Sequence, residues 1–183
     1  AAVPPDDLVA VFTEGVEPMQ DAWPWEALTI RALVPDMAFL AGPLRVALAS
    51  DHVPLFELRN RFTIGFVFQP IDLLHQALRA WFGVEAPHIG VLGLNPHAGE
   101  GGLLGDEEQR IIEPALVLAR NAGMRVSGPL PPDTAFVPRV AQRYDGLVAM
   151  YHDQGLIPIK MQAFDQAVQM TLGLDGVRTS PSV

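Results

Sequence analysis

The 183-residue sequence contains no cysteine. That excludes a disulfide framework and a thiolate metal site, so any bound metal must be held by His, Asp or Glu. Positive charge is scarce: 12 Lys and Arg stand against 21 Asp and Glu, a formal charge of -9. Such a surface repels phosphate backbones and anionic lipid, so neither nucleic acid nor membrane is expected as a partner. Long apolar runs are also missing. The best stretch, Leu33 to Ala49, is interrupted by Asp36 and Arg45 and does not suit a bilayer span. No basic segment precedes an apolar one at the start, so no secretory leader is expected. Internal repeats and low-complexity tracts are lacking as well. Hydrophobic residues nonetheless make up 49% of the chain and charged residues 18%, which is too apolar for disorder and enough to bury a core. A soluble, acidic, cytoplasmic domain fits these limits.

Proline divides the chain. Pro4, Pro5, Pro18, Pro24, Pro35 and Pro43 punctuate the first 43 residues, which predicts an irregular arm with one or two short helices. From Leu44 the pattern turns periodic. Leu44 to Ser50 and His88 to Leu94 are short apolar runs suited to buried strands. Met124 to Leu130, Leu147 to Tyr151 and Gln166 to Leu174 are further strand candidates. Ile71, Leu74, Leu78 and Phe82 recur at helical spacing over residues 70–82, with Gly83 as a stop. A second helix opens on Gly105, Asp106, Glu107 and Glu108, closes at Ala122 and Gly123, and must kink or restart at Pro114. Strands alternating with helices predict an α/β domain with a parallel or mixed sheet.

Three of the strand candidates run into histidine-bearing loops, at His52, His97 and His152. Ligand sites of open α/β sheets gather at the carboxyl ends of strands, and three imidazoles there suit one divalent cation. Histidines that merely cap strand ends would leave the same spacing, so both readings stand on the residues alone. His75 and His88 lack the strand-to-loop setting and read as structural. Gly99, Gly101 and Gly102 mark a tight turn that either approaches a ligand or simply joins strand to helix. It is neither a Walker A loop nor a GxGxxG fingerprint. Lys160 and Arg178 are the notable cations, each following an apolar stretch and each able to hold a carboxylate or phosphate. Asp133 reads as the N-cap of a short helix reaching Phe136. No Ser sits in a Gly-x-Ser-x-Gly elbow, which sets a serine hydrolase aside.

Four long segments occur in order: Asn95 to Gly105 (NPHAGEGGLLG), Gly128 to Phe136 (GPLPPDTAF), Met150 to Gly155 (MYHDQG) with Lys160, and Thr171 to Leu174 (TLGL) with Arg178 to Ser180 (RTS). In them the chain closely resembles the 4-hydroxythreonine-4-phosphate dehydrogenase family, NAD-dependent enzymes of pyridoxal phosphate biosynthesis. The resemblance implies one three-layer αβα lobe of the isocitrate/isopropylmalate dehydrogenase-like fold, in a homodimer. It further implies a divalent metal (Zn, Mg or Co) on His52, His97 and His152, shared across the dimer interface. Lys160, Gln169 and Arg178 correspond to substrate-binding positions, Lys160 also to a catalytic one, and Asp133 would orient a ligand or relay a proton. The implied reaction is NAD- or NADP-linked oxidation, with decarboxylation, of 4-hydroxythreonine-4-phosphate to an amino-ketone phosphate.

The chain departs from the family in several places. Gln169 stands for the family's Asn, and Ser50, Asp51 and His52 stand for Thr-Thr-His. Asp51 thereby adds a charge beside a ligand, as its partner or as a repellent of anionic substrates. Asp21-Ala-Trp-Pro replaces a Gly-His-Thr-Glu motif, and the family's Asp-His-Gly-Thr-Ala is missing after Ser180. The expectation is therefore a dehydrogenase truncated at both ends. Residues 1–36 form a divergent Pro-rich arm and residues 37–183 the metal-binding, dimer-forming lobe. Cofactor-binding residues stay unassigned. Two alternatives accompany this reading: a non-catalytic metal-binding or dimerisation remnant, or a related dehydrogenase of phosphorylated four-carbon acids or aromatic cis-diol carboxylates.

Overall fold

The computed structural model describes residues 37–174 and 178–181, so the arm expected over residues 1–36 lies outside the described residues. Four of the apolar runs form parallel strands: β2 (Leu44–Leu48), β3 (His88–Leu92), β4 (Arg125–Leu130) and β5 (Gly146–Ala149). The sheet continues antiparallel through β1 (Met37–Ala41), β6 (Val168–Thr171) and β7 (Arg178–Pro181). Its order is β4-β3-β5-β2-β1-β6-β7, the mixed sheet anticipated above. The irregular stretch expected up to residue 43 needs correction at its end, where residues 37–41 are strand. Gly42, at φ +56, turns the chain straight into β2, in a backbone region that a side chain disfavours. Pro43 sits in that turn, where the missing N–H costs no ladder bond.

Helices flank the sheet. α1 (Leu55–Arg61) and α2 (Ile64–Ala80) follow β2, and α3 (Glu113–Asn121) follows β3. α2 starts earlier than the Pro70 expected from the pattern. Thr63 caps it by accepting from the Phe66 N–H at 3.2 Å, and Pro70 is absorbed inside the helix. The restart expected at Pro114 takes the form of a π turn over Glu108–Ile112, after which Pro114 occupies the first turn of α3. The short α4 (Pro132–Ala135) and α5 (Pro138–Ala141) precede β5, and α6 (His152–Ala163) follows it. One expected cap is corrected here. Pro131 holds the N-cap position of α4, while Asp133 is exposed in its first turn and caps nothing with its side chain.

Alternation along the strands separates two cores. Ala47, Ile89, Val91 and Val148 face α2 and α3, whereas Val46, Leu48, Leu92, Leu147 and Ala149 face Leu156 and Ile159 of α6. The result is a three-layer αβα arrangement. β5 lies between β2 and β3, yet its helix goes to the opposite face from theirs. In open α/β sheets such a switch marks where ligands bind, beyond the strands' carboxyl ends.

Candidate metal centre

The three adjacent strands β2, β5 and β3 deliver His52, His152 and His97. The first two meet, with ring centroids 5.3 Å apart at an interplanar angle of 37°. Asp51 Oδ2 lies 3.1 Å from His52 Nδ1, and Asp153 Oδ1 lies 2.7 Å from His152 Nδ1. An imidazole whose Nδ1–H donates to a carboxylate presents its lone pair at Nε2, the usual way in which outer carboxylates orient metal-binding histidines. One donor atom from each of Asp51, His52 and His152 falls within 4.8 Å of the others. Asp51 Oδ1 is buried without any hydrogen bond, the one such side-chain atom among the described residues. A buried carboxylate oxygen calls for a positive partner, and two imidazoles beside it suit a borderline divalent cation. The donor set fits a metal.

His97 stands outside that group, exposed in the turn Pro96–Gly102. His97, Ala98, Gly99, Glu100, Gly101 and Gly102 all adopt positive φ, at 52, 52, 77, 44, 67 and 96°, so the loop winds left-handed. Such a run is disfavoured for residues with a Cβ and persists only where surrounding contacts hold it. The acidic helix opening expected at Glu108 is present, with Glu108 in the first turn after Glu107. Glu108 is buried, and its carboxylate accepts from the Leu94 and Asn95 N–H groups at 2.8 and 2.7 Å. The anion received by this glycine-rich turn is the chain's own side chain.

Lys160 lies two turns along α6 from His152 and lines an open depression of about 420 Å³ with His152, Asp153, Leu156, Ile157 and Met161. Its ammonium is 5.8 Å from the centre of the Phe164 ring. Gln169, on β6, donates to Met37 Sδ and accepts from Ser180 Oγ at 3.4 Å. Arg178 is exposed on β7, in register with Thr171. Asp133 is on α4, which packs beside the left-handed turn. His88 has the structural setting expected of it: its Nε2 is 2.8 Å from Ser127 Oγ, and its ring meets Tyr144 edge-on at 4.9 Å. Burial, then the Arg125 charge, pushes its pKa down; burial, then Arg79, does the same to His75. Sequence reasoning gave the buried Ser50, Gln154 and Glu108 no bridging role. Their only sequence signal is adjacency to the histidine motifs.

Residues 26–183 match the family described as pyridoxal phosphate biosynthetic protein PdxA. A 4-hydroxythreonine-4-phosphate dehydrogenase of Cupriavidus pinatubonensis is 42% identical over 175 residues, covering 96% of this chain and 50% of the relative. The crystal structure of the Klebsiella pneumoniae 4-hydroxythreonine-4-phosphate dehydrogenase superposes with a TM-score of 0.76 at 40% identity, covering 81% of this chain and 45% of that one. A terephthalate 1,2-cis-dihydrodiol dehydrogenase from Burkholderia xenovorans gives a TM-score of 0.72 at 34% identity, with 78% and 45% covered. The chain thus spans about half the length of the relatives it matches.

Proposed function

The chain belongs to the PdxA family, and from that membership we propose that it is the metal-binding lobe of a 4-hydroxythreonine-4-phosphate dehydrogenase acting in the cytoplasm. The observation that carries this reading is the gathering of His52, His152 and Asp51, with one unpartnered carboxylate oxygen, at adjacent strand ends. His52, His97 and His152 would hold a divalent cation, zinc, magnesium or cobalt, with Asp51 beside them. When bound, such a cation acidifies a coordinated hydroxyl and draws electrons toward its oxygen, the chemistry that alcohol oxidation and subsequent loss of CO₂ require. NAD or NADP would serve as the hydride acceptor.

The chain's own residues then have separate tasks. Lys160, in the depression that His152 also lines, binds an anionic end of the substrate and can donate a proton from Nζ. Arg178 presents a planar fork suited to phosphate or carboxylate, and Gln169 offers an amide to a hydroxyl or amino group. Asp133 sits beside the His97 turn, where it orients a bound group or relays a proton. Water must be kept from the site during hydride transfer. Leu55, Phe56, Leu103, Ile157 and Met161 are exposed around the histidine loops, and a second copy of the chain seated there would supply that cover.

The test is metal content and turnover together. Purified chain should carry stoichiometric metal, lose it on His152→Ala and on His97→Ala, and reduce NAD with 4-hydroxythreonine-4-phosphate. Metal bound without NAD-linked turnover would favour a non-catalytic remnant, and full metal content in His97→Ala would remove His97 from the ligand set. A second substrate class, aromatic cis-diol carboxylates, is favoured by the likeness to the terephthalate dihydrodiol enzyme. Turnover of such a diol in place of the phosphate would select it.

A further inference from the structure

The ladder between β2 and β5 ends at the pair Leu48 and Ala149, extended by the Ala49 N–H donating to the Ala149 carbonyl at 2.8 Å. That between β3 and β5 ends at Val91 and Val148. Beyond these points the three chains leave toward opposite faces of the sheet, and nothing in the backbone pairing keeps them together. Side chains take over. Ser50 Oγ donates to the Met150 carbonyl at 2.9 Å, joining the β2 end to the β5 end. Gln154 Oε1 accepts from the Met150 N–H at 2.7 Å, and its Nε2 donates to the Gly93 carbonyl at 2.9 Å, joining the β5 end to the β3 end. Glu108 then holds Leu94 and Asn95 through their N–H groups, and its Oε2 accepts from Asn95 Nδ2 at 2.9 Å.

Ser50, Gln154 and Glu108 are exposed by only 3, 8 and 2%, and they are three of the four buried polar or charged side chains among the described residues. Each histidine lies two residues beyond a residue held in this way: His52 after Ser50, His152 after Met150, His97 after Asn95. The left-handed turn is pressed onto the same group. A Cβ on Gly99 would stand 2.7 Å from Glu108 Oε2, and one on Gly93 would stand 2.8 Å from Ala98 Cα. We propose that Ser50, Gln154 and Glu108 are positioning residues that clasp the three histidine-bearing strand ends into one rigid unit. The inference rests on the reading that His52, His97 and His152 serve one cation. Buried hydrogen bonds of this kind are costly to leave half-made: losing Gln154 frees backbone groups at two strand ends, losing Ser50 frees the Met150 carbonyl, and losing Glu108 frees two N–H groups beyond β3.

The test uses the full 183-residue chain, with Co(II) titration, the visible Co(II) spectrum and amide hydrogen exchange. Gln154→Leu should weaken Co(II) binding about 10- to 100-fold, as loss of outer-shell support does elsewhere, and should alter the spectrum. Amides of residues 93–103 should exchange faster in this variant, although the substitution lies far away in sequence. Ser50→Ala should shift all three readouts in the same direction by less, and decides the matter if Gln154→Leu does not fold. Ile71→Val, on the buried face of α2, should lower the melting temperature and leave Co(II) affinity unchanged. A Gln154→Leu protein that melts earlier but keeps wild-type affinity, spectrum and exchange over residues 93–103 overturns the clasp. If the wild-type chain binds no Co(II), the metal reading fails by itself. Exchange then decides alone: faster exchange over 93–103 upholds the clasp, and a change confined to 150–156 rejects it.

Discussion

Identical side chains do different work in this molecule because of what stands within 3 Å of them. His88 at the start of β3 lies beside Ser127 and Tyr144, and its backbone N–H donates to Asp145 Oδ2 at 2.7 Å. Burial and Arg125 hold its pKa below the ordinary 6.5, with Asp145 opposing, and His75 is depressed as well. The folded chain therefore refuses protons that the unfolded chain accepts once pH falls below about 6.5. Stability is then complete above that pH and declines as pH drops through it toward the lower folded values. Melting temperature should fall between pH 7 and 5.5, and His88→Asn should flatten that slope. An unchanged slope would assign the effect elsewhere. His52, His97 and His152 were legible as candidates because each follows an apolar run directly. Ser50 and Gln154 were not, since their partners lie 100 and 61 residues away in sequence, and burial there depends on strand order. Glu108 was legible as an acid opening a helix, but its burial was not, because it depends on the left-handed turn packed onto it.

At the scale of elements, the parallel strands were read well, whereas β1, β7 and the start of α2 were not. An apolar run bounded by Gly or Pro leaves few options, which is why β2, β3, β4 and β5 fall close to their expected places. Pro70 looked like a beginning, but the Thr63 cap lies one residue before α2 and the packed helix tolerates the proline. The left-handed turn had no precedent in periodicity at all; three glycines hinted only at freedom. Its strain can be separated into two parts. Gly101, at φ +67, has open space where a Cβ would go, so Gly101→Ala should cost only the dihedral penalty, about 1–2 kcal/mol. Gly99, at φ +77, would also drive its Cβ into Glu108, so Gly99→Ala should cost clearly more. Denaturant unfolding of both variants measures the difference. Equal losses would mean that Glu108 gives way freely, and the turn would then owe little to it.

For the whole molecule, the sheet order explains why residues so far apart in sequence share one end, and the surface suggests what lies over it. Composition announced an acidic domain with a core, but it could not say which apolar residues the fold leaves outside. The most exposed of them among the described residues lie in sequence near the histidine loops: Phe56 after His52 is 96% exposed, Leu103 after His97 is 77%, and Met161 on α6 is 81%. A monomer gains nothing by presenting such side chains to water, whereas burying them against a partner would contribute roughly 25 cal/mol per Å² of apolar area. If a second copy seats there, charge at the contact should prevent it without disturbing the fold, because these side chains make no part of either core. Sedimentation velocity should find the wild-type chain dimeric at micromolar concentration, and Phe56→Glu and Met161→Glu shifted to monomer with unchanged circular dichroism. A shared site further requires that both variants lose metal affinity, although neither residue is a ligand. Dimers that dissociate while metal affinity stays constant would confine the site to one chain, with Asp51 as the donor that completes His52 and His152.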